Sequence, residues 1–158
     1  MIVATQKRPS AESDNLPERP IMPRKLTKPA AKKKAHELLQ RLVRMKAADE
    51  NGYAECVSCG LVKHYKQMDG GHFISRTHSF HSLREENVHP QCKNCNRFFS
   101  KCHDDYRRYM VDMYGEDFVE WLTDTKHTIH QLKLYEYEEI IAELNERIKD
   151  QAVRLGEK

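Results

Sequence analysis

The stretch "CKNCNRFFSKC", residues 92–102, opens with a Cys-x-x-Cys pair followed at once by an asparagine. One such pair aims two thiolates at a point and leaves a tetrahedral metal half-ligated. The other half stands upstream in "CVSCG", residues 56–60. The full pattern is Cys56-x2-Cys59-x32-Cys92-x2-Cys95. Two such turns brought together place four sulfurs around a Zn2+ ion. With no position left for water, the expected site is structural. Gly60 suits the turn after the first pair, because glycine takes unusual backbone angles cheaply. Cys102, the fifth cysteine, is left over and takes no ligand role.

The 158 residues have room for one domain with arms. There is no run of 18 apolar residues, so no membrane span is expected, and the first 30 residues lack an apolar signal stretch. The expected compartment is therefore a reducing cytoplasm, where paired cysteines bind metal rather than form disulfides. Charge is uneven. Residues 1–34 carry nine Lys/Arg against three acids, and the rest carries eighteen against twenty-one. Clustered cations of this kind suit a polyanion such as DNA; a solubilising tail is the other reading.

Residues 1–30 hold five of the six prolines and few apolar residues, so they read as a disordered basic arm. A helix is expected from about Ala30, with Ala35, Leu38, Leu39, Leu42 and Val43 on one stripe and Asn51-Gly52 as its stop. Residues 53–91 lack a helical period and read as short strands and loops. From Asn94 the pattern turns helical again, with Tyr106, Met110 and Met113 on one face. Gly115 breaks it, and a short helix over 117–122 carries Trp121 as a core anchor. Thr128-x-x-Gln131 has the form of a capping box. Behind it, Tyr137, Ile140, Ile141, Leu144 and Ile148 mark a long amphipathic helix ending near Leu155. Its stripe either packs on its own domain or forms a dimer seam. The expected organisation is an arm (1–30), a core (31–125) and this C-terminal helix (126–158).

The gap between the cysteine pairs contains "MDGGHFISR" (68–76) and "LREENVHPQC" (83–92). A His–Asn–Asn series, His72, Asn87 and Asn96, is thus threaded through the metal knuckle. With "CVSCG", "DGGHF", the "NVHPQCKNCN" run and "HTIHQ", residues from about 35 to 155 resemble the HNH, or ββα-metal, nucleases. Within them the chain is most similar to the NinG (Rap) family of phage recombination endonucleases, which cut Holliday junctions.

The resemblance implies a small α+β fold, mostly helical, with a zinc-bound ββα core flanked by helices. It implies His72 as general base, a role suited to an imidazole with its pKa near neutrality. Asn96 would be a ligand to a catalytic Mg2+ or Mn2+, and Asn87 would hydrogen-bond the backbone of the loop that carries the base. Asp69 stands two residues further from the histidine than the usual acidic ligand, so binding metal and merely orienting the site are both open. Arg76, Arg84, Lys93 and Arg97 are candidate phosphate contacts or plain solvated charges. Lys32, Lys33 and Lys34 form the best non-specific DNA contact. His89 reads as structural, a hydrogen bond to a cysteine sulfur or a phosphate being the other reading. The implied activity is metal-dependent cleavage of branched DNA by a homodimer. Rivals are a less specific nicking or restriction-type HNH nuclease, and a zinc-stabilised DNA-binding protein without catalysis.

Overall fold

Thr27 takes an extended backbone and hands the chain into α1 (Lys28–Ala47), with Pro29 in the first turn. A proline is tolerated there because the first N–H groups have no helical acceptor anyway. The computed structural model describes residues 26–157, so the disordered arm expected over 1–30 lies, up to residue 25, outside the described residues. Residues 28–30 belong to the helix, which corrects the boundary of the arm. The helix also stops earlier than Asn51-Gly52. Ala48 is already extended, and the Asp49 carboxylate accepts from the backbone N–H of Asn51 and Tyr53 at 2.9 and 2.8 Å. A side chain that offers the backbone this alternative ends a helix. Gly52, at φ 82°, closes the turn that follows.

Two antiparallel hairpins come next. β1 (Tyr53–Glu55) pairs with β2 (Val62–His64), and β3 (Asp69–His72) pairs with β4 (Val88–Gln91). The β3–β4 register sets Gly71 opposite His89 and His72 opposite Val88. β4 runs directly into α2 (Lys93–Arg97). The helical run expected from Asn94 is broken at Phe98, where the backbone leaves helical angles and α3 (Phe99–Tyr114) begins. Gly115 separates α3 from α4 (Glu116–Asp124) at φ 85°.

Tyr106 and Met110 of α3 and Val119 and Leu122 of α4 are buried with Phe73 and Ile74. Met113 is 56% exposed and Trp121 36% exposed, so neither is the core residue expected. The helix turns Val119 and Leu122 inward, and Trp121 lies on the margin beneath Arg84.

α5 (Leu134–Arg154) begins later than the Thr128 capping box implied. Thr128 instead closes a turn onto the Thr125 carbonyl, and Glu136 accepts from the Lys133 backbone N–H at 2.7 Å. The stripe on α5 packs on its own domain. Leu144 and Ile148 join Leu39, Leu42, Val43 and Met45 of α1, while Tyr137 and Ile141 meet Ala31 and Ala35. Arg154 donates to the carbonyls of Met45 and Ala48, so the end of α5 caps the end of α1. Among the described residues, no helix is long and apolar enough to cross a membrane.

Candidate metal centre and active cleft

The β1–β2 hairpin and the β4–α2 junction bring Cys56, Cys59, Cys92 and Cys95 together, their sulfurs all within 4.8 Å of one another. Cys59 Sγ lies 3.8 Å from Cys92 Sγ. Zn–S bonds of about 2.3 Å in a tetrahedron separate sulfurs by roughly 3.8 Å, so the four residues fit a metal such as zinc. Cys56, Cys92 and Cys95 are buried, Cys59 is at the surface, and none is in a disulfide. Burial and neighbouring thiols push the Cys95 thiol well up. The knuckle is tied to the sheet by the Val57 N–H to the Pro90 carbonyl at 3.1 Å and by Gln91 Nε2 to Ser58 Oγ at 2.7 Å. Cys102 packs against the cluster without being one of the four.

α1 crosses close over β3. A Cβ on Gly70 would lie 2.7 Å from Gln40 Cβ, and one on Gly71 would lie 1.8 Å from Gln91 Oε1. The two glycines before His72 are therefore required for close approach. At this crossing a cleft of about 520 Å3 is lined by Gln40, Asp69, Gly70, His72, Ser75, Arg76 and Asn96. Asn96 Nδ2 donates to Asp69 Oδ2 at 3.0 Å. A carboxylate and an amide side by side offer hard oxygen donors of the kind Mg2+ prefers.

His72 Nε2 lies 3.0 Å from the Ser82 carbonyl. A carbonyl only accepts, so Nε2 carries the proton and a neutral ring leaves Nδ1 bare. Burial, joined by the charge of Arg76 and opposed by the Ser82 carbonyl, lowers the His72 pKa below its ordinary value. The ring of His36, on α1, stands 5.9 Å from that of His72. His36 is buried, its Nδ1 has no partner among the described residues, and burial first, then nearby charges, push its pKa down to about 4.

Asn87 is fully buried. Its Oδ1 accepts from the Ile74 N–H at 2.7 Å, and its Nδ2 donates to the carbonyls of Ile74 and His81 at 2.9 and 3.0 Å. It thereby pins both ends of the 74–81 loop beside His72. Both ring nitrogens of His89 are taken by tyrosine hydroxyls rather than by a sulfur. The Tyr106 hydroxyl donates to the Gly71 carbonyl at 2.9 Å and so accepts from His89 Nδ1–H at 3.0 Å. His89 Nε2 then accepts from Tyr114 Oη at 2.9 Å, and burial lowers the His89 pKa to about 4. The histidine locks α3 onto the hairpin.

Of the candidate phosphate contacts, Arg76 lines the cleft. Lys93 and Arg97 are exposed on α2 on either side of the Cys95–Asn96 pair. Arg84 lies elsewhere, 4.9 Å over the Trp121 ring. Lys32, Lys33 and Lys34 are exposed on the first turns of α1, with Lys33 3.8 Å from Glu37. Gln40, Ser75 and the Ser82 carbonyl were not legible as site groups. A backbone carbonyl has no sequence signature, and Gln40 enters the cleft only because α1 crosses β3.

Fold and site define a small α+β protein with four clustered cysteines that could bind a metal, beside a histidine–carboxylate–amide cleft. The chain belongs to the NinG family: the family model described as "Bacteriophage Lambda NinG protein" matches residues 4–153. The match begins inside the basic segment, which was expected to lie outside the resemblance. Two relatives named "Protein ninG", from Escherichia phage 933W and Enterobacteria phage VT2-Sa, are each 28% identical over 120 residues. The aligned stretch covers 75% of this chain and 56% of each relative, so the chain spans little more than half their length. No solved structure matches it.

Proposed function

We propose that this chain is an HNH-type metal-dependent endonuclease that hydrolyses DNA phosphodiesters at branched recombination intermediates, in the cytoplasm of a phage-infected bacterium. The observation that carries the reading is His72. It has a bare Nδ1, an Nε2–H anchored on a carbonyl, and Asp69, Asn96 and Arg76 in the same cleft. The order of two antiparallel strands and a helix, β3–β4–α2, supports it, and so does NinG family membership.

His72 Nδ1 takes a proton from the attacking water as the new P–O bond forms and the bond to the leaving 3′-oxygen breaks. The leaving oxygen takes its proton from solvent. The fixed Ser82 contact keeps the imidazole in the tautomer that accepts. Arg76 holds a phosphate oxygen. Asp69 and Asn96 would hold Mg2+ or Mn2+, which supplies charge stabilisation at the phosphate and the leaving oxygen. Cys56, Cys59, Cys92 and Cys95 would hold zinc, which would fix the start of α2 and hence Asn96. Two symmetric nicks in a junction need two copies. The apolar stripe of α5 is covered by α1, so a homodimer would pair through another face.

The test is a Mg2+-dependent nicking assay on a labelled four-way junction, with linear duplex and single strand alongside, comparing wild type with His72→Ala. Paired junction nicks lost in the variant are expected. Equal cutting of all three substrates would leave a general HNH nuclease. Binding without cutting by the wild type would leave a DNA-binding protein.

A further inference from the structure

Behind the segment that anchors His72 lies a second cavity of about 610 Å3, a size usual for ligand pockets. Leu83, Leu132 and Ile140 give it an apolar lining. One wall is the Phe80 ring, met edge-on by His81 at 4.8 Å and by Trp121 and His130 at 6.2 Å. Ile129 stands in the lining with 80% of its surface in water. Lys28, Lys32 and Arg84 also border the cavity, against a single acid, Glu86, 3.9 Å from Arg84. Arg84 Nε is buried without a hydrogen-bond partner among the described residues. An apolar slot with an aromatic wall and cations around it complements a nucleotide, with the flat base inside and phosphates beside the cations.

Two connections lead from this pocket to the cleft. Ser82 lines the pocket while its carbonyl holds His72. Along α1, Lys28, Lys32, His36 and Gln40 recur every four residues and so share a face. The first two border the pocket, His36 neighbours His72, and Gln40 lines the cleft. From Lys32 to Gln40 the helix rises about 12 Å, roughly three or four nucleotides along one strand of a duplex.

We infer that this pocket receives an unpaired base of the DNA strand whose phosphate lies in the cleft. The inference rests on the nuclease reading and deepens it. A base stacked and paired in a duplex cannot reach an apolar lining, whereas an extrahelical one can. The pocket therefore selects DNA that is locally unpaired a few nucleotides from the cut. Its occupant also bears on the segment that sets the tautomer of His72.

The experiment is fluorescence anisotropy without Mg2+, at one fixed salt concentration. The probes are a labelled duplex with one unpaired nucleotide, the same duplex with that nucleotide abasic, and the perfect duplex. The base-bearing probe is expected to bind about tenfold or more tighter than the abasic one. Phe80→Leu, which keeps bulk but removes the π face, and Ile129→Ser, at an exposed site that tolerates change, should bring that ratio towards one. A ratio near one in the wild type, or a ratio that both variants leave intact, overturns the pocket. A preserved ratio in a protein that nicks no DNA would keep the pocket and sink the nuclease reading. Nicking with a ratio near one would do the reverse, and no DNA binding at all would overturn both.

Discussion

A Cβ on Gly70 would lie 2.8 Å from the Cα of Gln40 as well as 2.7 Å from its Cβ, so helix backbone, and not only a mobile side chain, stands in the way. Gly70→Ala therefore has to lift α1 from β3. It is expected to cost about 1–3 kcal/mol, the range for overpacking, read as a lower urea midpoint. Asn87 poses the opposite problem, because truncation leaves groups unpaired. Asn87→Ala would strand the Ile74 N–H and the carbonyls of Ile74 and His81 in a buried site. Each orphaned group costs about 1–3 kcal/mol, so a loss of several kcal/mol is expected in the same denaturation experiment. At His72 the proposed nuclease reading makes a prediction. Its burial-lowered pKa should set the acid limb of a kcat/KM profile below the free imidazole value of about 6.5. An acid limb above that value would remove His72 as the base.

Among elements, the metal knuckle and the α1–α5 pair carry distinct loads. Cys56, Cys92 and Cys95 share their buried cluster, among the described residues, with Met68 alone, and Cys102 packs against it. Without a cation there is little apolar mass to hold α2 in place. Zinc analysis is expected to give one ion per chain. Cys56→Ala, or chelation of the wild type, should lower Tm by about 10 °C or more, the shift for some 3 kcal/mol in a chain of this size. An unchanged Tm would show that the metal does not support the fold. The α1–α5 seam is an ordinary apolar one. Leu144, 4% exposed and in one buried cluster with Leu39 and Leu42, should cost about 2–5 kcal/mol when cut to alanine. Polar groups reinforce the same seam: Glu85 takes hydrogen bonds from Lys46 of α1 and Arg147 of α5. Burial opposes ionisation of Glu85, but these two cations prevail and hold its carboxyl below the usual range.

At the scale of the whole molecule, stability depends on pH through buried neutral histidines, most of all His36 and His89, each with a pKa near 4 in the fold. Above about 6.5 both are neutral in the folded and the unfolded chain, and neither penalises folding. As pH falls from about 6.5 towards 4, the unfolded chain takes up protons that the fold refuses, so stability is lost across that window. The upper bound is about 3 kcal/mol for each histidine. His36→Leu replaces a ring whose Nδ1 has no partner among the described residues. It should be no less stable than wild type at pH 7, with a shallower fall of Tm below about 6.5. A fall as steep as in wild type would show that His36 is not the group being titrated.

The sequence alone determined features set by local spacing. Two Cys-x-x-Cys turns specify a four-sulfur centre because each turn geometry is local. The stripes on α1 and α5 show because a helix repeats every 3.6 residues wherever it packs. The glycine pair before His72 is visible too, although its reasons, α1 passing over Gly70 and the Gln91 side chain lying against Gly71, are not. Caps were less readable. Asp49 and Glu136, not Asn51-Gly52 and Thr128, set the helix ends, because several polar side chains near each boundary compete for the same backbone groups. Tertiary structure alone decided that α5 lies on α1 rather than elsewhere. It turned Met113 and Trp121 outward, tied His89 to two tyrosines, and gave His72 the Ser82 carbonyl as its partner. These outcomes depend on contacts between residues far apart in the chain. An apolar stripe states that it will be buried but not against what, and a backbone carbonyl looks the same at every position until the fold selects one.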